Sequence, residues 1–282
     1  MQGDRQMLHA YVLPKLGSLK IADVTRRDVI ALHYGLRNKP YAANRVLALL
    51  SKMFNLAEKW GLRADFSNPC RHVERFRERA RERYLAPAEL AQLARALTAA
   101  DRDGSESPHA IAAIRLLILT GCRLREILRL RWEHVDLENG RLHLPDSKTG
   151  AKTVYLSAPA LEVLATLSRT VDNPWVIEGR NHGSHLTDLK GPWERLRERT
   201  GLAGLRIHDL RHSFAAVGAG LGLSLPMIGE LLGHSQPATT ARYAHLAADP
   251  MHRAAERIGA ELAGAMSGSE KAEVLKLKRR QG

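Results

Sequence analysis

The sequence predicts a mainly α-helical protein with one small β-sheet, divided into two domains. Three observations carry this. Apolar residues recur at helical spacing through most of the 282 residues. Strict apolar alternation is confined to two short neighbouring segments, 141–144 (RLHL) and 153–156 (TVYL). A charged stretch poor in apolar residues, 71–83 (RHVERFRERARER), separates two apolar regions. The length suits one large domain or two ordinary ones, and a hydrophobic content of 44% is enough for packed cores.

The elements follow in order. Met7, Leu8, Tyr11 and Val12 form a first helical face. Thr25 caps the next helix, with Asp28 at the third helical position as a variant of the capping box. Tyr41–Trp60 is a long helix whose Val46, Leu49, Leu50, Met53, Phe54 and Ala57 make one stripe. Gly61 stops it and Asn68-Pro69 marks a turn. Residues 1–70 are therefore expected to form a helical domain. Residues 71–83 read either as a solvated helix laced with i,i+4 pairs or as a basic linker.

The second domain is expected over 84–266. Pro87 suits a helical first turn, and Leu90, Leu93, Ala94 and Leu97 supply the buried face. An apolar helix over 109–119 ends at Thr120-Gly121. The two alternating segments form a hairpin around the loop 146–150. Further helices are predicted near 158–168, 187–200, 208–219, 225–232, 236–245 and 250–264. The polar, basic residues 267–282 read as a flexible tail.

The formal net charge of +13 points to a polyanionic partner, nucleic acid first. The excess is uneven. Residues 1–70 hold 11 Lys/Arg against 5 Asp/Glu, 71–83 hold 6 against 3, and 267–282 hold 5 against 2, whereas 84–266 are nearly balanced at 21 against 20. A DNA grip and a working part are thus separable. Arg45, Lys52, Arg71, Arg75, Arg77 and Arg79 are the candidate DNA contacts. With two cysteines, Cys70 and Cys122, a disulfide framework and a Cys-rich zinc module are excluded, and a cytoplasmic, nucleoid-associated location is expected. No apolar run approaches the ~20 residues of a membrane span.

Common catalytic machinery is missing. The sequence has no phosphate-binding Walker loop and no dinucleotide fingerprint. His208 and His212 lie four apart like a metal pair, but Asp209 stands where a zinc protease has glutamate. His182 and His185 fall in a Gly/Ser-rich loop, and no carboxylate cluster suggests a two-metal nuclease. What remains is a set of cationic and imidazole groups at turns and helix ends: Arg123, Lys148, His208, Arg211 and His234, with Tyr243 nine residues beyond His234 and Glu126 three beyond Arg123. Metal-free chemistry at a phosphodiester needs such groups. Arginine forks match the non-bridging oxygens, an acid protonates the leaving oxygen, and a base takes the nucleophile's proton. A tyrosine hydroxyl becomes a usable nucleophile beside cations.

The segments TGCRLREIL (120–128), SKTG (147–150), HDLRHSFA (208–215), LLGHS (231–235) and TTARYAH (239–245), in this order, resemble the tyrosine recombinases, the phage-type integrases. The resemblance covers roughly 84–250, and the stretch LPKLGSLKIADVTRRDV…NRVLALLSKMFNLAEKWG also looks like that family's core-binding domain. It implies a helical core-binding clamp and a mostly α catalytic domain with a small sheet. It implies that Tyr243 is the nucleophile, that Arg123 and Arg211 bind the scissile phosphate, and that His208 accepts the tyrosine proton. It further implies that Lys148 protonates the leaving 5′ oxygen, that His234 holds a phosphate oxygen, and that Glu126 braces the pocket. The activity implied is site-specific recombination through a 3′-phosphotyrosine, without ATP, metal or other cofactor, by a homotetramer on double-stranded DNA. An accessory directionality factor is a further candidate partner. Larger relatives carry an arm-binding domain and a complete first clamp helix, and the chain is expected to begin past both. A type IB topoisomerase, with the same chemistry, and a remnant that only binds DNA are the alternatives.

Overall fold

The computed structural model describes residues 2–78, 82–145 and 150–246, together with positions 255, 258, 259 and 262. Lys148, Arg79, the basic tail and most of the helix expected over 250–264 lie outside the described residues. The chain divides into two compact units, Met1–Glu82 and Arg83–Gly282.

The first unit is helical. α1 (Gln2–Met7) runs through a π-helical segment, Leu8–Val12, into α2 (Leu13–Leu16). α3 (Arg26–Gly35) starts at the expected cap: the Asp28 N–H donates to Thr25 Oγ1 at 3.3 Å, and the Thr25 N–H donates back to Asp28 Oδ2 at 2.9 Å. α4 (Pro40–Lys59) buries Val46, Leu47, Leu50, Phe54 and Ala57, the predicted stripe except that Leu49 and Met53 sit at its margin. Gly61, at φ +68°, closes α4 with the Leu62 N–H on the Ala57 carbonyl at 2.9 Å.

The described residues 69–78 are not helical. Instead this segment is pinned to this unit through Asn44 on α4. The Asn44 side-chain amide donates to the Phe76 carbonyl at 2.8 Å and to Glu78 Oε1 at 2.7 Å, and its oxygen accepts the Phe76 N–H at 3.0 Å. Phe76 also stacks on His33, ring centres 4.3 Å apart. The side chains of Asn44 and His33 thus anchor a segment whose composition is dominated by charge.

The second unit is mainly α with a small sheet. Its helices are α5 (Pro87–Arg102), α6 (Pro108–Thr120), α7 (Leu124–Leu128), α8 (Ala158–Ala165), α9 (Lys190–Thr200), α10 (Ile207–Gly220), α11 (Leu225–Leu232) and α12 (Pro237–Ala241). The predicted helix over 236–245 is thereby split into α12 and a 3-10 turn, Ala244–Leu246. The sheet is antiparallel in the order β1 (Val135–Asp136), β2 (Arg141–Leu144), β3 (Lys152–Tyr155). β1 is too short for alternation to reveal it in sequence. Leu142 pairs with Val154 and Leu144 with Lys152. Cross-strand partners point to the same face, so Lys152 shares the buried face of Leu142, Leu144 and Val154.

The core lies between α5, α6, α8, α9 and the sheet, with Leu93, Ile114, Ile127, Leu142, Leu164 and Leu196 fully buried. The start of the unit is tied to α10. The Leu85 N–H donates to Ser213 Oγ at 2.8 Å, while Arg83 forks onto Glu89 at 2.6 and 2.8 Å. No described helix is long and apolar enough to cross a membrane.

Candidate active site

The site is built where α6, α7, α10, α11 and β3 meet. α6 ends at Gly121, φ +62°, where a Cβ would lie 2.7 Å from Phe214 Cδ1 and 2.9 Å from Leu232 Cδ2. Glycine is therefore required there by backbone sign and by space. The turn delivers Arg123 to the N-terminus of α7, where the Arg123 N–H donates to Glu126 Oε2 at 2.9 Å and the guanidinium donates to Glu126 Oε1 at 2.7 Å. Glu126 is therefore both helix cap and counter-ion.

α11 supplies the focal point. Its C-terminal carbonyls carry the negative end of a helix dipole and lack intrahelical donors. Arg211, on α10 and 4% exposed, donates to the Leu232 carbonyl at 2.8 Å and to the Gly121 carbonyl at 2.7 Å. Arg123 donates to the Gly233 carbonyl at 3.2 Å. Lys152 Nζ lies 2.9 Å from Glu126 Oε2 and 3.4 Å from the Leu232 carbonyl. Three cations thus converge on one helix end against a single carboxylate, leaving two formal positive charges, with the next residue, His234, beside them. Such a site suits an anion.

The electrostatics are mutually consistent. Burial would raise the Glu126 carboxyl, but the Arg123 N–H, Lys152 and the Arg123 guanidinium outweigh it and hold it below the usual range. Burial and the nearby Arg123 lower Arg211, which remains charged. Burial pushes His234 down to about 4, assisted by Arg211 and Arg123, so the ring is neutral at pH 7. Its Nδ1 pairs with Thr240 Oγ1 at 2.8 Å, which fixes the ring plane.

Tyr243 follows α12 and packs against Ala215, Ala219, Ile228 and Leu232 with 5% of its surface exposed. Burial raises its phenol, while Arg242 and Arg211 oppose that shift. Its hydroxyl lies 2.5 Å from His212 Nδ1. His208 is one helical turn earlier on α10, its ring edge-on to His212 at 4.9 Å, and no hydrogen bond joins it to Tyr243 among the described residues. Burial and then Arg211 lower His208, and burial, His208 and Arg242 take His212 to about 4.

Of the residues singled out in sequence, Arg123, Glu126, Arg211 and His234 come together at the end of α11, and His208 and Tyr243 flank His212. Lys148 lies outside the described residues. Two residues of the site are not singled out by sequence reasoning. Lys152 stands on the inward face of β3, and its spacing of two from Val154 is the available signal. His212 reads in sequence only as half of a metal pair. Among the described residues no group of three or more His, Cys, Asp and Glu could hold a metal ion. Of the candidate DNA contacts, Arg45, Lys52, Arg75 and Arg77 are exposed, and Arg71 is exposed beside Glu58 at 3.8 Å and over the Phe66 ring.

Residues 83–249 match the phage integrase family. The chain belongs to this family. It is 33% identical over 232 residues to a shufflon-specific DNA recombinase of Escherichia coli, covering 79% of this chain and 57% of the relative. It is 30% identical to the tyrosine recombinase XerC of Roseiflexus castenholzii, covering 82% and 77%. The chain thus spans little more than half the length of the first of these relatives. The fold is also that of a lambda integrase solved as a dimer bound to a core site, with a TM-score of 0.68 at 20% identity over 86% of each chain.

Proposed function

We propose that this integrase-family chain is a site-specific DNA recombinase that cuts and rejoins double-stranded DNA through a covalent bond to Tyr243. The observation that supports this is the convergence of Arg123, Arg211 and Lys152 on the C-terminal carbonyls of α11, with Tyr243 packed in one cluster with Leu232 of that helix and its phenol under the electrostatic influence of Arg211. Among the described residues Arg123 and Arg211 each spend two of five N–H donors on the protein, which holds the guanidinium planes and leaves three donors for phosphate oxygens. His234, held by Thr240, offers its second ring nitrogen to the same phosphate. Glu126 bridges Arg123 and Lys152, one carboxylate oxygen to each, and braces them without touching the reacting atoms.

In the reaction Tyr243 gives its proton to His208, its oxygen attacks phosphorus, and the bond to the 5′ oxygen breaks, with that oxygen taking a proton from Lys148. The ester to Tyr243 conserves the bond energy, and a 5′ hydroxyl from a new strand reverses the step. Preformed cations at the phosphate supply the main stabilisation. The partner is duplex DNA gripped through Arg45, Lys52, Arg71, Arg75, Arg77 and Arg79, the working assembly is a homotetramer on that DNA, an accessory directionality factor sets the sense of the exchange, and the chain acts at the nucleoid.

The test uses nicked duplexes made from DNA flanking the gene, in excess EDTA. Wild type is expected to form a covalent adduct that maps to Tyr243, and Tyr243→Phe to form none while binding the duplex as before. An adduct on Tyr155, Tyr84 or a serine, or a requirement for added metal, would overturn the reading.

A further inference from the structure

We propose that Lys152 is a positioning residue for strand cleavage. It occupies one oxygen of Glu126, so that this carboxylate cannot take the Arg123 guanidinium in a two-pronged fork, and the outward donors of Arg123 stay available to the scissile phosphate. The proposal rests on the recombinase reading above and assigns a further residue within it.

The first support is how the carboxylate is shared. Glu126 Oε1 accepts from Arg123 Nη1 at 2.7 Å. Glu126 Oε2 accepts the Arg123 backbone N–H at 2.9 Å and lies 2.9 Å from Lys152 Nζ. The Arg123 side chain therefore meets the carboxylate through one nitrogen, and its Nη2 donates to the Gly233 carbonyl at 3.2 Å. An arginine beside a carboxylate commonly settles into two parallel N–H···O bonds. Such a fork would spend a second nitrogen on Glu126 and turn the guanidinium off the Gly233 carbonyl.

The second support is burial. The Glu126 and Lys152 side chains are 5% and 9% exposed. Arg123 alone neutralises Glu126, and drawing a further ammonium into the interior is costly, so neutrality does not explain Lys152. The third is mounting. Lys152 opens β3 and pairs in register with Leu144, so the sheet fixes its backbone. Its stem crosses Gly233, where a Cβ would lie 2.9 Å from Lys152 Cδ. Beyond the stem, Nζ donates to the Leu232 carbonyl at 3.4 Å, the same carbonyl that accepts from Arg211 at 2.8 Å. The ammonium is thus held by the sheet and by the end of α11, and it holds the carboxylate in turn. Charge agrees with this. Burial raises the Glu126 carboxyl, and the Arg123 N–H and then Lys152 oppose that more strongly than the hydrogen bond from the Arg123 side chain does.

A double-mutant cycle on positions 152 and 126 tests the proposal. Lys152→Met keeps a stem across Gly233 and removes the charge. Glu126→Gln removes the carboxylate that Lys152 restrains. The readout is the first-order rate of the Tyr243 adduct on the nicked duplex. It is taken at saturating protein and from the time course rather than the end-point, so that neither duplex affinity nor the folded fraction enters. Lys152→Met is expected to slow this rate by about tenfold or more with Glu126 present, and by less than about threefold with Gln at 126. A role in packing alone gives the same loss in both backgrounds. A loss below about tenfold with Glu126, or of about threefold or more with Gln, would overturn the proposal. Either result leaves the Tyr243 adduct, and so the recombinase reading, in place. Absence of that adduct in the wild type would instead overturn that reading and the role of Lys152 with it. Should Lys152→Met alone fail to fold, Glu126→Gln and the double variant, which leaves no buried carboxylate unpaired, carry the test by the same limit.

Discussion

Gly121→Ala should damage stability and cleavage together, and the size can be worked from two separate terms. The residue sits at φ +62°, where an L-residue costs about 1–2 kcal/mol. The added Cβ would also lie 2.7 Å from Phe214 Cδ1 and 2.9 Å from Leu232 Cδ2, and relieving such overlap in a packed core costs about 1–3 kcal/mol. The expected total is about 2–5 kcal/mol. Gly201 isolates the first term. It ends α9 at φ +61°, and a Cβ added there would meet nothing within 4 Å, so Gly201→Ala should cost only about 1–2 kcal/mol. Urea unfolding followed by tryptophan fluorescence reads the right unit, because Trp132, Trp175 and Trp193 lie in Arg83–Gly282, and Trp60→Phe silences the remaining one. Relief of the overlap moves Leu232, whose carbonyl accepts from Arg211 and Lys152, so Gly121→Ala should also slow adduct formation, whereas Gly201→Ala should not. Equal destabilisation by the two substitutions would refute the steric part of the reasoning.

Glu126→Gln removes the counter-ion shared by Arg123 and Lys152 and should cost about 3 kcal/mol, whereas Asp101→Asn, which loses a surface pair with Arg115 at 3.0 Å, should cost under about 1 kcal/mol; comparable losses in urea titration would contradict this. Folding holds His212 and His234 at about 4, below the unfolded value of about 6.5, so the unfolded chain binds protons first as pH falls. Stability of the second unit should thus be full above pH ~6.5 and decline toward pH ~4, by up to about 1.4 kcal/mol per pH unit for each histidine. The double variant His212→Gln/His234→Gln should flatten that profile between about pH 7 and pH 5, and a wild-type profile already flat there would count against the burial of both rings.

Much of this protein is legible along the chain, because local sterics and burial write themselves into local spacing. The stripe from Val46 to Ala57 gives α4, Thr25 with Asp28 gives the start of α3, and Leu142, Leu144 and Val154 give the hairpin. The glycines at 121 and 233 mark ends of α6 and α11 that matter because of what later packs against them. The ordered set Arg123, His208, Arg211, His234 and Tyr243 is likewise visible without coordinates. Tertiary structure alone decides which of these touch. His212 and Tyr243 are 31 residues apart, and Lys152 and the Leu232 carbonyl 80 apart, so no periodicity relates them. Lys152 shares the inward face with Val154, and Glu126 supplies the carboxylate that makes its burial tolerable. His212 reads only as half of a metal-like pair until the chain after α12 returns to α10 and sets a hydroxyl against it. The segment 71–83 reads as a solvated helix or a basic linker because its charges dominate its composition, yet its Phe76 and Glu78 are held by Asn44 and His33, whose side chains find partners only once α3 and α4 are packed. Spacing encodes which face of an element is buried; which charged or polar group lies opposite that face depends on segments distant in sequence, and only packing brings them into register.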